Sequence, residues 1–397
     1  MFLQRPLNTT LKLGAALPRP IEIGGPAVRA LAAALLIAAL IGGNVSPARG
    51  ATYRNPVIAA DFPDPAVLRV GSEYWATATN HGSAQPVFQL ARSTDLVNWN
   101  VVANVFPNPP GWATTSWWAP SLVSWKGRFL AYYSATPRGA AGRCIAVAVA
   151  DRVTGPWADR GPLVCGANPI DPTTTTDPSG QQLLLVWAAP GGMFVQPLSA
   201  DGTGLVGAPT NVMKVDQPWE RGVAENPTMV RHNGFYELLY SGGICCGFSC
   251  AYGVGVARAP TPLGPFRKDD ANPILAANGA WRCPGGNDVV DDGNGNLWLA
   301  YHAYSPINFG FAGRQMLLDR IDWRDDWPVI NGGAGPSAIA TAPFGGQRSV
   351  AVQSDGFSGH ALAARWQWAE DARPKTRVRS GQLAMTPTRT LNGRARL

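Results

Sequence analysis

The chain has 397 residues and a formal net charge of +7, but its basic excess lies at the two ends. Residues 1–50 carry five Lys or Arg and one Glu, and residues 358–397 carry eight Lys or Arg and two acids, which leaves 20 bases and 23 acids in between. The central part is therefore slightly acidic, which excludes a basic nucleic-acid-binding surface.

The first segment in chain order is a leader. Four basic residues precede the apolar run ALAAALLIAALIGG, which the small-residue stretch SPARGA follows. This order is typical of a secretory signal, and the apolar run is too short to favour a membrane-spanning helix. We predict that residues 1–50 are a signal peptide and leader, with cleavage near residues 47–51. The mature chain is expected to be secreted and monomeric, and to bind neither nucleic acid nor membrane.

Six cysteines follow the leader, at positions 144, 165, 245, 246, 250 and 283. Behind an export signal they indicate disulfides rather than zinc, because the chain has no paired CxxC spacing with histidines. We predict that Cys144 pairs with Cys165 and closes a short excursion. Cys245 and Cys246 are adjacent and are expected to be poor partners for each other, so two pairings among the last four cysteines remain open.

A repeated plan decides the fold. Each repeat begins at a polar or proline-containing turn, passes through a β-prone run, turns at a glycine and ends in an aromatic-rich strand. The spacing of about 52–63 residues fits one four-stranded antiparallel blade per repeat. We therefore predict an all-β fold with a five-bladed β-propeller over residues 51–347. The five segments are DPAVLRVGSEYWATAT, APSLVSWKGRFLAYYSA, DPTTTTDPSGQQLLLVWAA, ENPTMVRHNGFYELLYSGG and NDVVDDGNGNLWLAYHAY.

Acidic residues recur at the start of these repeats. Alignment on the turn glycines places five residues at one phase, namely Asp64, Ala119, Asp171, Glu225 and Asn287. The innermost strands of a propeller converge on its axis, so the three carboxylates are expected to face one another across a pocket. A single Asp-Pro is more often a turn device, but recurrence in three blades favours glycosidic cleavage. An inverting reaction needs a base and a protonated acid about 6.5–9.5 Å apart.

The same segments resemble motifs of glycoside hydrolase family 43, whose members are five-bladed propeller enzymes acting on arabinans and xylans. NPVIAADFPDPAVLRVGSEYW is similar to the opening strand of that family, IDPTTTTDPSG to its second acidic motif, and WERGVAENPTMVRHNGFYELLYSGG to its general-acid motif. The resemblance implies that Asp64 is the general base and that Glu225 is the general acid. Asp171 is then the residue that modulates the pKa of the acid and orients it.

Substrate contacts are assigned to three further residues. Trp118 belongs to WAPSL, which resembles a pocket-lining motif, and it either stacks on a sugar ring or only packs. Arg314 resembles a family arginine that contacts the substrate, with a structural salt bridge as the alternative. His81 ends the first aromatic strand and either touches a sugar hydroxyl or lies in a surface turn. His302 is expected to pack in the fifth blade.

Two departures from the family pattern concern the centre of the propeller. Many relatives carry a histidine that supports an axial metal ion at the position of Gly286. Its absence argues against a structural calcium ion here, and no cofactor is expected to be required. Asn226 stands where relatives usually have a small residue, which affects either the placement of the acid or the shape of a subsite.

The C-terminal region, residues 348–397, breaks the repeat. It resembles the first strands of a β-sandwich, but about 50 residues are too few to close one. We predict an incomplete, partly ordered module, with an extension packed on the propeller as the alternative.

The sequence thus predicts a secreted inverting hydrolase of arabinose- or xylose-containing plant cell-wall polysaccharides or oligosaccharides. The alternative is a glycan-binding propeller without catalysis, which would bind sugar but hydrolyse none. The sugar, its linkage and the choice between exo and endo action stay open.

Overall fold

The computed structural model describes residues 51–80, 86–307 and 309–344, together with the short stretches 356–362, 367–368, 375–386 and 395–396. The predicted leader and His81 lie outside the described residues. Within the described part, no helix is long and apolar enough to cross a membrane. The helical elements found there are one short α-helix, α1 (Phe309–Ala312), and the 3₁₀ turns Pro218–Glu220 and Asn331–Gly333.

Two short strands, β1 (Thr52–Arg54) and β2 (Ile58–Asp61), precede four blades. Each of these blades is an antiparallel sheet of four consecutive strands. In chain order, the strands are β3 (Ala66–Val70), β4 (Glu73–Thr77), β5 (Val87–Ser93) and β6 (Asn100–Phe106); β7 (Ala113–Trp125), β8 (Arg128–Pro137), β9 (Cys144–Ala150) and β10 (Ala158–Cys165); β11 (Ile170–Thr176), β12 (Leu183–Ala189), β13 (Gly192–Pro197) and β14 (Thr210–Met213); β15 (Ala224–His232), β16 (Phe235–Ile244), β17 (Ala251–Ala259) and β18 (Arg267–Lys268).

The fifth blade is built from both ends of the propeller. Its strands β19 (Arg282–Asp291), β20 (Leu297–Tyr304) and β21 (Arg314–Arg324) pair in order, and β21 also pairs with β22 (Trp327–Ile330). The N-terminal strand β2 completes the sheet by pairing with β21, and β1 pairs with β23 (Ile339–Thr341). This closure of the ring confirms the predicted all-β, five-bladed β-propeller.

The hydrophobic core of the described residues lies between neighbouring blades. Five apolar clusters fill the five blade interfaces, and each is built from side chains of two adjacent sheets. The predicted aromatic strands are β4, β8, β12, β16 and β20, the second strand of each blade. Because neighbouring blades cover both faces of these strands, they are near-continuous apolar runs, as in β12, where the first six of seven residues are buried.

Beyond the propeller, the described residues form two small antiparallel pairs. β24 (Gln367–Trp368) pairs with β27 (Ala395–Arg396), and β25 (Lys375–Arg379) pairs with β26 (Gln382–Thr386). The incomplete β-sandwich module stays a prediction.

Disulfides join all six cysteines in pairs. Cys144 is bonded to Cys165 across the edge pair β9–β10. The expectation that adjacent cysteines are poor partners was wrong, since Cys245 is bonded to Cys246. The reason lies in the fold, which packs Cys250 against Cys283 of β19 in a small apolar cluster and bonds the two. Because Cys250 and Cys283 are bonded, Cys245 and Cys246 pair with each other.

Candidate active site

The innermost strand of each blade enters the centre through a left-handed residue. The five residues and their φ angles are Asp64 (50°), Ala119 (39°), Asp171 (56°), Asn226 (51°) and Gly286 (58°). Residues other than glycine rarely adopt such backbone angles, and those that do are often found at functional sites. The five positions are therefore equivalent points at which the strands bend around the axis.

This register corrects the alignment of repeats drawn from the sequence. Ile170 lies opposite Ala188 on the second strand of its blade, and Glu225 lies opposite Ser241 in the same way. Glu225 is thus equivalent to Ile170, and Asn226 is equivalent to Asp171; Asn287 is likewise one residue out of phase. The glycine alignment failed because the turns between first and second strands differ in length from blade to blade.

The three predicted acids nevertheless line one cavity. Its volume is about 390 Å³, and Asp64, Asp171 and Glu225 share its wall with Trp118 and Arg314. Five of the six residues predicted for catalysis and substrate contact thus meet at one place; the sixth, His81, lies outside the described residues. Residues more than 150 positions apart become neighbours because the blades are arranged around a ring.

Asp64 lies in a setting that keeps its carboxylate ionised. Its Oδ1 accepts from Arg314 Nη1 at 3.0 Å, and its Oδ2 accepts from the Thr79 hydroxyl at 2.6 Å. His302 Nδ1 accepts the backbone N–H of Asp64 at 3.1 Å. Burial opposes ionisation, but the charge of the Arg314 guanidinium and the hydrogen bond from the Thr79 hydroxyl outweigh it and hold the pKa of Asp64 well below its usual value.

Glu225 lies in the opposite electrostatic setting. Burial raises its pKa, the charge of Asp64 raises it further, and a hydrogen bond from the Tyr252 hydroxyl to Oε1 at 2.8 Å offsets only part of this effect. The cations Arg314 and Arg143 also pull the pKa down without reversing the shift. Glu225 therefore keeps its proton to a higher pH than an ordinary glutamate does.

The pKa of Asp171 depends on the charges of both other acids. Burial and the charges of Glu225 and Asp64 raise the pKa of Asp171. The backbone N–H of Asn226 donates to Asp171 Oδ2 at 3.0 Å and offsets part of that rise, and the backbone N–H of Asp171 itself donates to Ser134 Oγ at 3.1 Å. Asn226, one of the two departures from the family pattern, thus contacts Asp171 through its backbone.

Trp118 and Arg143 extend the site on the side of Glu225. The Arg143 guanidinium lies over the Trp118 ring, 4.0 Å from its centroid. Arg143 also lines a second cavity of about 290 Å³, which shares Ile170 and Glu225 with the first. The two cavities are therefore adjacent at Ile170 and Glu225.

Five parts of the site were missed by the sequence. Thr79, Arg143 and Tyr252 carry no motif, and their positions depend on which strand ends reach the axis. His302 was expected only to pack in the fifth blade, and it is fully buried there, but it also contacts Asp64. The Cys245–Cys246 disulfide lines the main cavity. The repeat phase of β20 is the one signal that pointed towards His302.

The space around Gly286 shows whether this chain could hold the histidine that supports an axial metal ion in the family it resembles. A Cβ atom at Gly286 would lie 2.3 Å from His302 Nδ1 and 2.5 Å from Asp64 Oδ1. A histidine does not fit at this position, because His302 and Asp64 occupy the space. Within residues 51–80, 86–307 and 309–344, moreover, no three His, Cys, Asp or Glu side chains are grouped to hold a metal ion.

Comparisons with known proteins agree with this geometry. The family model for glycosyl hydrolases family 43 matches residues 53–328. An extracellular endo-alpha-(1->5)-L-arabinanase of Bacillus subtilis is 27% identical over 319 residues, covering 74% of this chain and 95% of that protein. A xylan 1,3-beta-xylosidase of a Vibrio species is 28% identical and also matches 74% of this chain, but the chain spans only 60% of its length. The crystal structure of a variant of the GH43 protein BlXynB from Bacillus licheniformis superimposes with a TM-score of 0.71 at 25% identity, covering 84% of this chain and 68% of that one.

Proposed function

The chain belongs to glycosyl hydrolases family 43 and is a glycosidase, and we propose that it hydrolyses arabinose- or xylose-containing polysaccharides with inversion at the anomeric carbon. The observation that carries the proposal is the opposite electrostatic setting of two acids in one cavity. The pKa of Asp64 is held low, and that of Glu225 is raised. Two carboxyl groups whose pKa values are pushed apart are the usual mark of a base and an acid.

In the proposed reaction, Asp64 is the general base. Its ionised carboxylate takes a proton from a water molecule as the water oxygen attacks the anomeric carbon. Glu225 is the general acid and gives its proton to the glycosidic oxygen as the bond to the leaving sugar breaks. Asp64 ends protonated and Glu225 ionised, and proton exchange with solvent restores both. We expect the two carboxyl groups to be about 6.5–9.5 Å apart, which leaves room for the water.

Asp171 and Arg314 tune this pair. Asp171 and Glu225 are coupled: the charge of Glu225 raises the pKa of Asp171, so ionisation of one of the two acids disfavours ionisation of the other. Arg314 is hydrogen-bonded to Asp64, which fixes the direction of the base and its charge. We propose that Arg314, together with Trp118 in the wall of the cavity, also contacts the sugar.

The substrate class is supported by the relatives. One is named an arabinanase and another a xylosidase, so the shared property is a pentose at the cleaved bond. The Bacillus relative is described as extracellular, and the leader of this chain is typical of exported proteins. We propose that the mature chain is a secreted monomer acting on arabinan or arabinoxylan-type chains, and that it needs no metal ion for the reaction.

The test compares wild type with Asp64→Ala and Glu225→Ala on linear and debranched arabinan, xylobiose and aryl pentosides. Loss of either group is expected to lower kcat by about 10²–10⁴. With a dinitrophenyl leaving group, which departs without protonation, Glu225→Ala should regain most of its activity, whereas Asp64→Ala should stay inactive. Proton NMR of the first product should show the inverted anomer.

A matched control is Asp151→Ala, which removes an exposed acid paired with Arg128 on the surface. It is expected to retain full activity. Equal turnover in wild type and both cavity variants would refute the proposal. Sugar binding without hydrolysis by folded wild-type protein would instead support the glycan-binding alternative.

A further inference from the structure

The Cys245–Cys246 disulfide lies in the wall of the cavity that holds the three acids. It occupies the start of the six-residue loop between β16 and β17. Arg314 Nη1, which donates to Asp64 Oδ1 at 3.0 Å, also lies 3.7 Å from Cys245 Sγ. Arg314 therefore contacts both Cys245 Sγ and the carboxylate of the proposed general base, Asp64.

The loop that carries this disulfide is fixed at both ends. Its N-terminal end continues β16, and its C-terminal residue, Cys250, is bonded to Cys283 of β19. Cys245 packs against a small apolar cluster that contains Tyr252 and Tyr304. Tyr252 in turn donates to Glu225. The disulfide is thus held beside Arg314 and Tyr252, the residues that contact Asp64 and Glu225.

The disulfide adds an apolar surface to the cavity wall. Sulfur is large, polarisable and a weak hydrogen-bonding partner, so a disulfide presents an apolar edge. The same wall contains four charged residues, Asp64, Asp171, Glu225 and Arg314, together with the apolar side chains of Trp118 and Ile170. A pentose matches such a cavity, because its hydroxyl groups need polar partners while its C–H groups favour apolar contact.

We propose that the Cys245–Cys246 disulfide is a specificity-determining wall that packs against the C–H face of the pentose whose anomeric carbon lies between Asp64 and Glu225. The inference rests on the proposed function, because it takes the cavity as the site of the cleaved sugar. An apolar contact of this size discriminates between ligands by about tenfold or more. It acts on the bound sugar before and during reaction alike, so its loss raises KM and leaves kcat nearly unchanged.

The test uses two isosteric double variants, Cys245→Ala/Cys246→Val and Cys245→Ala/Cys246→Thr, which differ at position 246 in polarity and not in shape. For aryl pentosides, we expect the threonine variant to show a KM raised about tenfold, with kcat within about threefold of wild type. The valine variant should keep KM within about threefold of wild type. The control Cys144→Ala/Cys165→Ala, which removes a disulfide from the edge of the second blade, should leave KM unchanged.

Direct contact is measured in a Glu225→Gln background, where the sugar is bound but not cleaved. With ¹³Cβ-labelled cysteine, nuclear Overhauser effects should connect the β-protons of Cys245 or Cys246 with C–H protons of L-arabinose or D-xylose. This measurement needs no cysteine substitution and therefore stands if the double variants do not fold.

The outcomes separate the two claims. Hydrolysis by wild type with equal KM in both double variants, or with equal losses in both, overturns the wall and leaves the proposed function intact; so does hydrolysis without Overhauser effects. Overhauser effects in a chain that hydrolyses no pentoside support the wall and refute the function. A chain that neither binds pentoses nor hydrolyses pentosides refutes both.

Discussion

Replacement of Arg314 by glutamine removes the cation that balances the carboxylates of the cavity. The guanidinium donates to Asp64 Oδ1 at 3.0 Å and lowers the pKa of all three acids, Asp64, Asp171 and Glu225. We expect the whole pH profile of kcat/KM to move to higher pH in Arg314→Gln.

The magnitude follows from the contact. A cation in direct contact lowers the pKa of an Asp by about 1–3 units. A charge-assisted hydrogen bond contributes about 1.5–3 kcal/mol, which corresponds to about 1–2 pKa units at 1.36 kcal/mol per unit. Without Arg314, burial raises the pKa of Asp64 against weaker opposition, so the base becomes protonated at a higher pH and the acid limb rises. Glu225 then holds its proton to a higher pH, and the alkaline limb rises as well.

The assay is kcat/KM for an aryl pentoside from about pH 3 to pH 9. Arg314→Lys keeps the positive charge and should leave the limbs close to their wild-type positions. Arg320→Gln removes an exposed arginine that lies 3.1 Å from Asp322 and should move neither limb. Unmoved limbs in a folded Arg314→Gln protein, or equal shifts in Arg314→Lys and Arg314→Gln, would refute the reasoning.

Two further substitutions probe the same centre. Glu225→Gln is expected to raise Tm by roughly 2–4 °C near pH 8 and to have no such effect near pH 4. A raised pKa means that the folded state resists ionisation of Glu225, so the wild-type protein loses stability as pH rises through the folded pKa. Scanning calorimetry at both pH values measures the difference in Tm. The same difference at pH 4 and pH 8 would contradict this argument. Gly286→Ala places a Cβ atom against His302 Nδ1 and Asp64 Oδ1 and should lower kcat/KM by about 10² or more. The control Gly71→Ala, at a similar φ of 63° but with open space around it, should lower Tm alone, and equal activity losses in both would contradict the steric argument.

The fold could be predicted because it is repeated in the sequence. Blade strands such as β12 are buried on both faces, so they can be recognised in the sequence as apolar runs. Five such runs at a steady spacing predict a ring of five blades. The three acids of the cavity could be found for a similar reason, since acids recur near equivalent strand starts. The exact phase could not, because Gly71 is the first residue of its two-residue turn, whereas Gly234 is the second residue of a turn of the same length.

The remaining parts of the site depend on contacts between residues that are well separated in sequence, which no local pattern encodes. Thr79 reaches Asp64 from the segment just after β4 in the same blade, whereas Tyr252 reaches Glu225 from β17, the third strand of its blade. The pairing of Cys245 with Cys246 follows from the position of Cys250 beside β19, far away in sequence. These partners become visible only in the folded structure.

Closure of that ring has a consequence for the order in which the protein acquires activity. β2 ends at Asp61, three residues before Asp64, and it finds its partner only in β21, more than 250 residues later. The guanidinium that binds Asp64 comes from the first residue of that same late strand. During synthesis, the second, third and fourth blades can pack against one another before this strand emerges, but the first blade still lacks its fifth-blade partners Met316 and Leu318, and Asp64 has no fixed position. Hydrolytic activity is therefore a measure of completed closure, and it should appear as the last event of folding rather than growing blade by blade.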